Sequence, residues 1–213
     1  MLFKVENCNP DQYSGDTDKQ IAISNILRSH GANKNIIIAD KQMLEVLSSS
    51  DLYAYVDKMY AEDILNTRRE YGTLLDYLYT FVVIDFNDAH QGVTSEQYGE
   101  GTQIRVSFRE FVDNKVLNGT RFVTEGEVDY KYYSIIASCY TKYISKKNLK
   151  LNLVFDLGGG SQTKSIFDGL VKNSHVVLSI LDCDKKHLEM GEGPTSSLFN
   201  PSDREPSGLN YAK

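Results

Sequence analysis

The stretch LVFDLGGGSQTKSIFDG, Leu153 to Gly169, decides how the second half of the chain is read. Its apolar opening has the composition of a strand. Gly158, Gly159 and Gly160 can take positive φ and turn the backbone tightly. The residues behind them, TKSIFDGLVKN, read as a short helix. Upstream, TRFVTEG is a short apolar strand ending in an acid and a glycine, and NLKLNLVFDLGGG is a second strand. Between them VDYKYYSIIASCYTKYIS carries Tyr132, Ile135, Ile136, Cys139, Tyr140 and Tyr143 at helical spacing, which points to a core-packed helix. Downstream, SHVVLSILDCD is nearly continuously apolar, as in a strand buried on both faces. Strands alternating with helices predict βαβ units, a parallel sheet and right-handed crossovers.

The same order tests a resemblance. FDLGGGS is similar to the phosphate-binding loop of the actin and heat-shock-70 ATPases, where the glycines lie in a hairpin and the chain returns at once as an apolar strand. Here SQTKSIFDGL follows, polar and then helical. With 213 residues the chain is also too short for the two duplicated halves of that class. The ATPase reading is excluded.

Composition bounds the remaining classes. With 41% hydrophobic and 24% charged residues, the chain can bury one sizeable core or two small ones. Cys8, Cys139 and Cys183 are odd in number and far apart, with no Cys or His at ligand spacing, so neither a disulfide framework nor a zinc site is expected. There is no signal-like segment and no apolar run of membrane-spanning length, so the expected setting is cytoplasmic, with no membrane partner. Asn118-Gly-Thr then marks only a turn. A net charge of −6 disfavours unaided capture of nucleic acid. The cluster Lys142, Lys146, Lys147 and Lys150 is a local exception, and equally a helix end favoured by the dipole.

In the first half, residues 1–20 are polar and read as a loose arm, and residues 21–120 as an α/β or mostly helical region without a recognised motif. QIAISNILRSH is expected as a helix, NIIIAD as a buried strand, and Lys41 to Phe81 as helical hairpins broken near Ser48 to Asp51 and at Gly72. FVVIDFND reads as a strand, Ala89 to Gly101 as a polar loop, and TQIRVSFREFVDNKVLNG as strand into helix. Residues 196–213, with Pro201 and Pro206, read as an irregular tail.

Acidic groups gather at three strand ends: Glu125-Gly126 with Asp129 nearby, Asp156 with the glycines, and Asp182-Cys183-Asp184-Lys185. In a parallel sheet all of these emerge at the carboxyl edge, where open α/β sheets bind ligands. Crowded carboxylates raise one another's pKa unless a cation sits among them, and hard oxygen donors suit Mg²⁺ or Mn²⁺. Acids at strand ends are also ordinary turn formers. Asp156 fits a supporting role near a metal or a turn, His187 is a second-rank candidate base, and Cys183 must point to the opposite face from its neighbours.

FVTEGEVD, then a glycine turn after the next strand, then LSILDCDKK, together resemble the Toprim domain of primases, topoisomerases, recombination mediators and nucleases of the OLD type. The match covers about residues 121–195. The ending Asp-x-Asp-Lys followed by GEGPTS is similar to small nuclease effectors of bacterial antiphage defence. The resemblance implies a Toprim-like parallel sheet flanked by helices. It implies Glu125, Asp129, Asp182 and Asp184 as metal ligands, with Glu125, Asp182, Asp184 and Lys185 catalytic, Lys185 steadying the scissile phosphate. The implied activity is Mg²⁺-dependent (or Mn²⁺-dependent) cleavage of DNA or RNA, with a protein partner or larger defence assembly. The alternative is a non-catalytic Toprim-like module that binds a partner ATPase or regulatory protein. The family's sheet continues through a further helix and strand. The Pro-rich tail offers neither by pattern, so completion by the N-terminal half or by further sequence is expected.

Overall fold

The computed structural model describes residues 1–76, 78–99, 101–144, 152–173, 175–181, 193, 195–199 and 210–212. The chain is α/β and divides into two compact units, Met1–Asn118 and Gly119–Lys213.

In the first unit β1 (Leu2–Glu6), β2 (Ile36–Ile38), β3 (Thr80–Asp85), β4 (Val93–Tyr98) and β5 (Gly101–Ser107) form one sheet in the order β2-β1-β3-β5-β4. All neighbours are parallel except β4 with β5. The N-terminal segment expected as an arm therefore supplies an interior strand. LFKVE alternates: Phe3 and Val5 are buried, while Lys4 and Glu6, on the other face, are half-buried and paired at 2.6 Å. The loop expected over Ala89 to Gly101 is in fact β4 and the turn after it. Every residue of VTSEQY is exposed, so backbone pairing with β5, not burial, holds this strand.

Three helices flank this sheet. In α1 (Thr17–Gly31) the carboxylate of Asp16 accepts the Lys19 N–H at 3.0 Å, closing the first turn. Residues Ile23, Ile26 and Leu27 meet Val5, Ile37 and Leu44 in one apolar interior, Leu44 coming from α2 (Lys41–Ser49). The last helix, α3 (Tyr55–Gly72), lies close to the end of α1. A Cβ at Gly31 would fall 2.1 Å from the Tyr60 ring. Arg28 binds Asp57 through two hydrogen bonds, 2.7 and 3.1 Å, and Asp57 is only 1% exposed.

In the second unit β6 (Thr120–Thr124), β7 (Leu153–Leu157), β8 (Val177–Ile180) and β9 (Asn210–Ala212) are all parallel, in the order β7-β6-β8-β9. Adjacent residues of β6 point to opposite faces. Phe122 meets Tyr130 and Tyr133 of α4 (Glu127–Cys139), ring centroids 5.9 and 6.3 Å apart. Val123 and Val177 pack with Phe167 of α5 (Thr163–Lys172) and with Phe199. Helices thus cover both faces.

Two expectations change here. The tail is not wholly irregular: it contributes a short helical turn at Ser196–Leu198, the buried Phe199 against Phe167, and β9 as a fourth strand. And α4 does not bury the stripe read as its core face. Tyr132, Ile135, Ile136, Cys139, Tyr140 and Tyr143 are exposed; the inward contacts come from Tyr130 and Tyr133. The helical period was correct, but it could not say which of two apolar faces meets the sheet.

Candidate functional site

The carboxyl edge of the second sheet is built around the end of β6. Thr124 pairs in register with Leu157 of β7 and Ile180 of β8, so the chain leaves all three strands at one edge. Thr124 is fully buried, and its hydroxyl donates to the Gly126 carbonyl at 2.8 Å, bending the chain as it exits. Glu125 follows directly and is half-buried.

Gly126 then caps α4. Its N–H donates to the carboxylate of Asp129 at 2.9 Å, the reach-back half of a capping box. Asp129 is therefore engaged in starting the helix, and it also adds negative charge at the positive end of the helix dipole.

The glycine turn is stitched to the same strand end. Gly158 N–H donates to the Thr124 carbonyl at 2.8 Å, and Gly159 N–H to the Glu125 carbonyl at 3.4 Å. Gly159 and Gly160 have φ of 71° and 63°. A Cβ on Gly158 would lie 2.5 Å from Thr163 Oγ1 and 2.8 Å from the Thr124 carbonyl oxygen. That position is reserved for glycine by packing, not by backbone angle.

Asp156 does not terminate its strand, which runs one residue further. Its carboxylate is held by both Arg121 Nε, at 2.7 Å, and Arg121 Nη2. It is an ion-pair partner within the sheet, neither a turn former nor a group open to a metal. Glu127 is exposed and bridges Lys131 at 2.8 Å.

Of the residues expected at the site, Glu125 is in the turn after β6 and Asp129 in the first turn of α4. Asp182, Asp184 and Lys185 lie outside the described residues, as do Cys183, His187, Lys146, Lys147 and Lys150. Among the described residues no group of three or more His, Cys, Asp or Glu side chains is arranged to hold a metal ion.

The first unit has a feature that sequence reasoning missed: a cavity of about 700 Å³ at the carboxyl ends of β1 and β2, lined by Glu6, Asn7, Cys8, Asp40, Gln42 and Arg68 among others. The chain runs from β1 outward to β2 and from β3 outward toward β5 and β4, so the strand order reverses at the β1/β3 boundary beside this cavity. Asn7, at φ 55°, donates to Asp85 at 2.8 Å across the β1/β3 boundary. Arg105 binds Glu6, Asp85 and Glu96 at 2.9, 3.1 and 3.3 Å.

Burial raises the Asp85 pKa, but hydrogen bonds from Asn7, the Asn87 backbone and Arg105 together bring it below the ordinary value. Glu6 is likewise held down, against its burial, by Lys4 and Arg105. Burial pushes the Cys8 thiol up to about 12, so it is no nucleophile at neutral pH. The signal in the sequence was VENCN directly after an alternating run, too short to stand out.

No protein-family model, no curated protein and no solved structure matches the chain. Among the described residues, no helix is long and apolar enough to cross a membrane.

Proposed function

We propose that the second unit is a Toprim-like catalytic domain and that the chain is a Mg²⁺- or Mn²⁺-dependent nuclease acting on DNA or RNA, in the manner of an antiphage defence effector. The observation that carries the reading is the register of β6 and β8. The two strands are adjacent and parallel, with Thr124 opposite Ile180. Glu125 follows the first strand, and Asp182 is two residues beyond the second. An acid after one strand and an Asp-x-Asp after its parallel neighbour is the arrangement the family resemblance requires.

Carboxylates of Glu125, Asp182 and Asp184 offer the hard oxygen donors that suit Mg²⁺. Bound there, the cation would polarise the scissile phosphate and lower the pKa of a water. In this reading Lys185 steadies the phosphate and Glu125 holds the proton taken from the attacking water. Asp129 contributes by fixing the Glu125-Gly126 turn through its bond to Gly126 N–H.

The net charge of −6 supports a protein partner that presents the substrate, since the excess of carboxylates repels phosphate from the isolated chain outside local lysine clusters.

The test is incubation of the purified chain with plasmid DNA and with tRNA, in Mg²⁺, Mn²⁺ or EDTA. Cleavage that EDTA abolishes, and that Asp182→Asn and Glu125→Gln each reduce at least about 100-fold, supports the proposal. Undiminished cleavage by Asp182→Asn would remove that residue from the chemistry. Metal binding without cleavage of either substrate would favour the regulatory module instead.

A further inference from the structure

The geometry points to a second copy of this chain as the occupant of the outer face of α4, the two helices running antiparallel. Val128, Tyr132, Ile135 and Cys139 recur at intervals of four, three and four, the spacing of a helix–helix seam. Ile136, Tyr140 and Tyr143 widen the stripe. Val128 is 77% exposed, Ile135 63% and Tyr143 64%, although the opposite side of the same helix already packs Tyr130 and Tyr133 on the sheet. A helix apolar on two sides belongs between two layers, and among the described residues only the sheet-side layer is present.

The pattern is self-complementary. A twofold axis between Ile135 and Ile136 sets Tyr132 opposite Cys139, large against small, and the chain runs on past Cys139 as a π-helical turn, Tyr140–Ile144. The acidic first turn, with Glu127 and Asp129, then lies beside the turn of the partner that carries Lys142, and the helix dipoles oppose. Such an isologous contact closes at two copies.

The side-chain area exposed along the stripe is roughly 700 Å² per copy, close to the ~800 Å² per partner of a standard interface. The aromatic residues also offer bases a stacking surface. The two isoleucines at its centre, Ile135 and Ile136, stand astride the axis and fit a protein surface better.

Sedimentation velocity of the full chain over a concentration series tests this. The expected result is a dimer whose dissociation constant rises about 100-fold or more with Ile135→Glu, because the axis makes each substitution count twice. Circular dichroism should show that this exposed-site variant keeps its helical signal. Tyr132→Cys, treated with a short bismaleimide, should give an intermolecular link from position 132 to Cys139, identified by peptide mass. A monomer at about 100 μM would overturn the proposal. So would a dimer indifferent to Ile135→Glu, or a link only between one Cys139 and another, which requires parallel helices or an axis away from Ile135 and Ile136. A monomer that binds oligonucleotide and loses it with Tyr132→Ala would make this a nucleic-acid surface instead.

Discussion

Replacing Gly158 by alanine probes the turn on which the candidate site rests. The added methyl group would meet Thr163 Oγ1 at 2.5 Å, Thr163 Cγ2 at 2.8 Å and the Thr124 carbonyl oxygen at 2.8 Å. Thr163 is fully buried and its hydroxyl donates to the Gly160 carbonyl at 2.7 Å, so it has little room to turn away. The Thr124 oxygen belongs to a strand paired on both sides and cannot retreat. Overpacking of this kind costs about 1–3 kcal/mol, and weakening the Gly158 to Thr124 hydrogen bond adds about 1 kcal/mol. A total near 3 kcal/mol would lower the transition of a unit this size by more than about 10 °C. Calorimetry measures the shift, and hydrogen exchange assigns it to the second unit. Gly158→Ala with Thr163→Ala should recover only part of the loss, because the carbonyl contact remains. Gly159→Ala, in open space at φ 71°, should cost about 1–2 kcal/mol for its backbone alone. If Gly158→Ala unfolds within about 0.5 kcal/mol of the parent, the close approach of the turn to β6 is wrong.

Three further expectations follow from the first unit and α4. Glu6 and Asp85 have folded pKa values below their ordinary 4.5 and 3.8, so their stabilisation is complete above about pH 4.5 and is lost as pH falls through the folded values. Asp85→Asn should flatten the acid limb of stability against pH, measured by urea denaturation at pH 2.5 to 6, and an unchanged limb would exclude this network as its source. Arg28→Ala strands a carboxylate that is 1% exposed and should cost about 3 kcal/mol or more, whereas Asp57→Asn should cost less, because Arg28 is half-exposed and can be hydrated; equal losses would refute the asymmetry. Iodoacetamide at pH 8, at a dilution where the chain is monomeric, should label Cys139 while sparing Cys8, whose thiol is pushed up to about 12 by burial, and peptide mapping that finds Cys8 labelled before Cys139 would contradict the packing around it.

The legible part of the chain was the part where an apolar run or stripe has clear bounds. β6, β7 and β8 announce themselves through apolar runs bounded by glycine or acid, and α1 through a stripe ending at Gly31. β1 was hidden because one of its faces carries Lys4 and Glu6, which pair with each other, Glu6 also binding Arg105 from a strand a hundred residues away. β4 was hidden because a fully exposed edge strand has no hydrophobic pattern to show; its partners are backbone groups. In α4 and the turn after it periodicity marked six apolar positions, all of them outward, and passed over the sheet-facing Tyr130 and Tyr133. At the candidate site Glu125 was legible as a strand end, but the bond between Asp156 and Arg121 was not, since it depends on the register of β6 against β7.

The interior place of β1 also governs how the first unit is made. On the ribosome β1 has β2 within reach about thirty residues later, but β3, its other neighbour, ends at Asp85. At roughly 5–20 residues per second, that strand follows some 4–16 s behind β1. During this interval Phe3 and Val5 have only part of their final cover, and the growing chain offers an open strand edge to any neighbour. β5 and the polar β4 come last and close the sheet, so a ribosome stalled between Gly72 and Thr80 would hold an unfinished sheet with its stickiest edge outward.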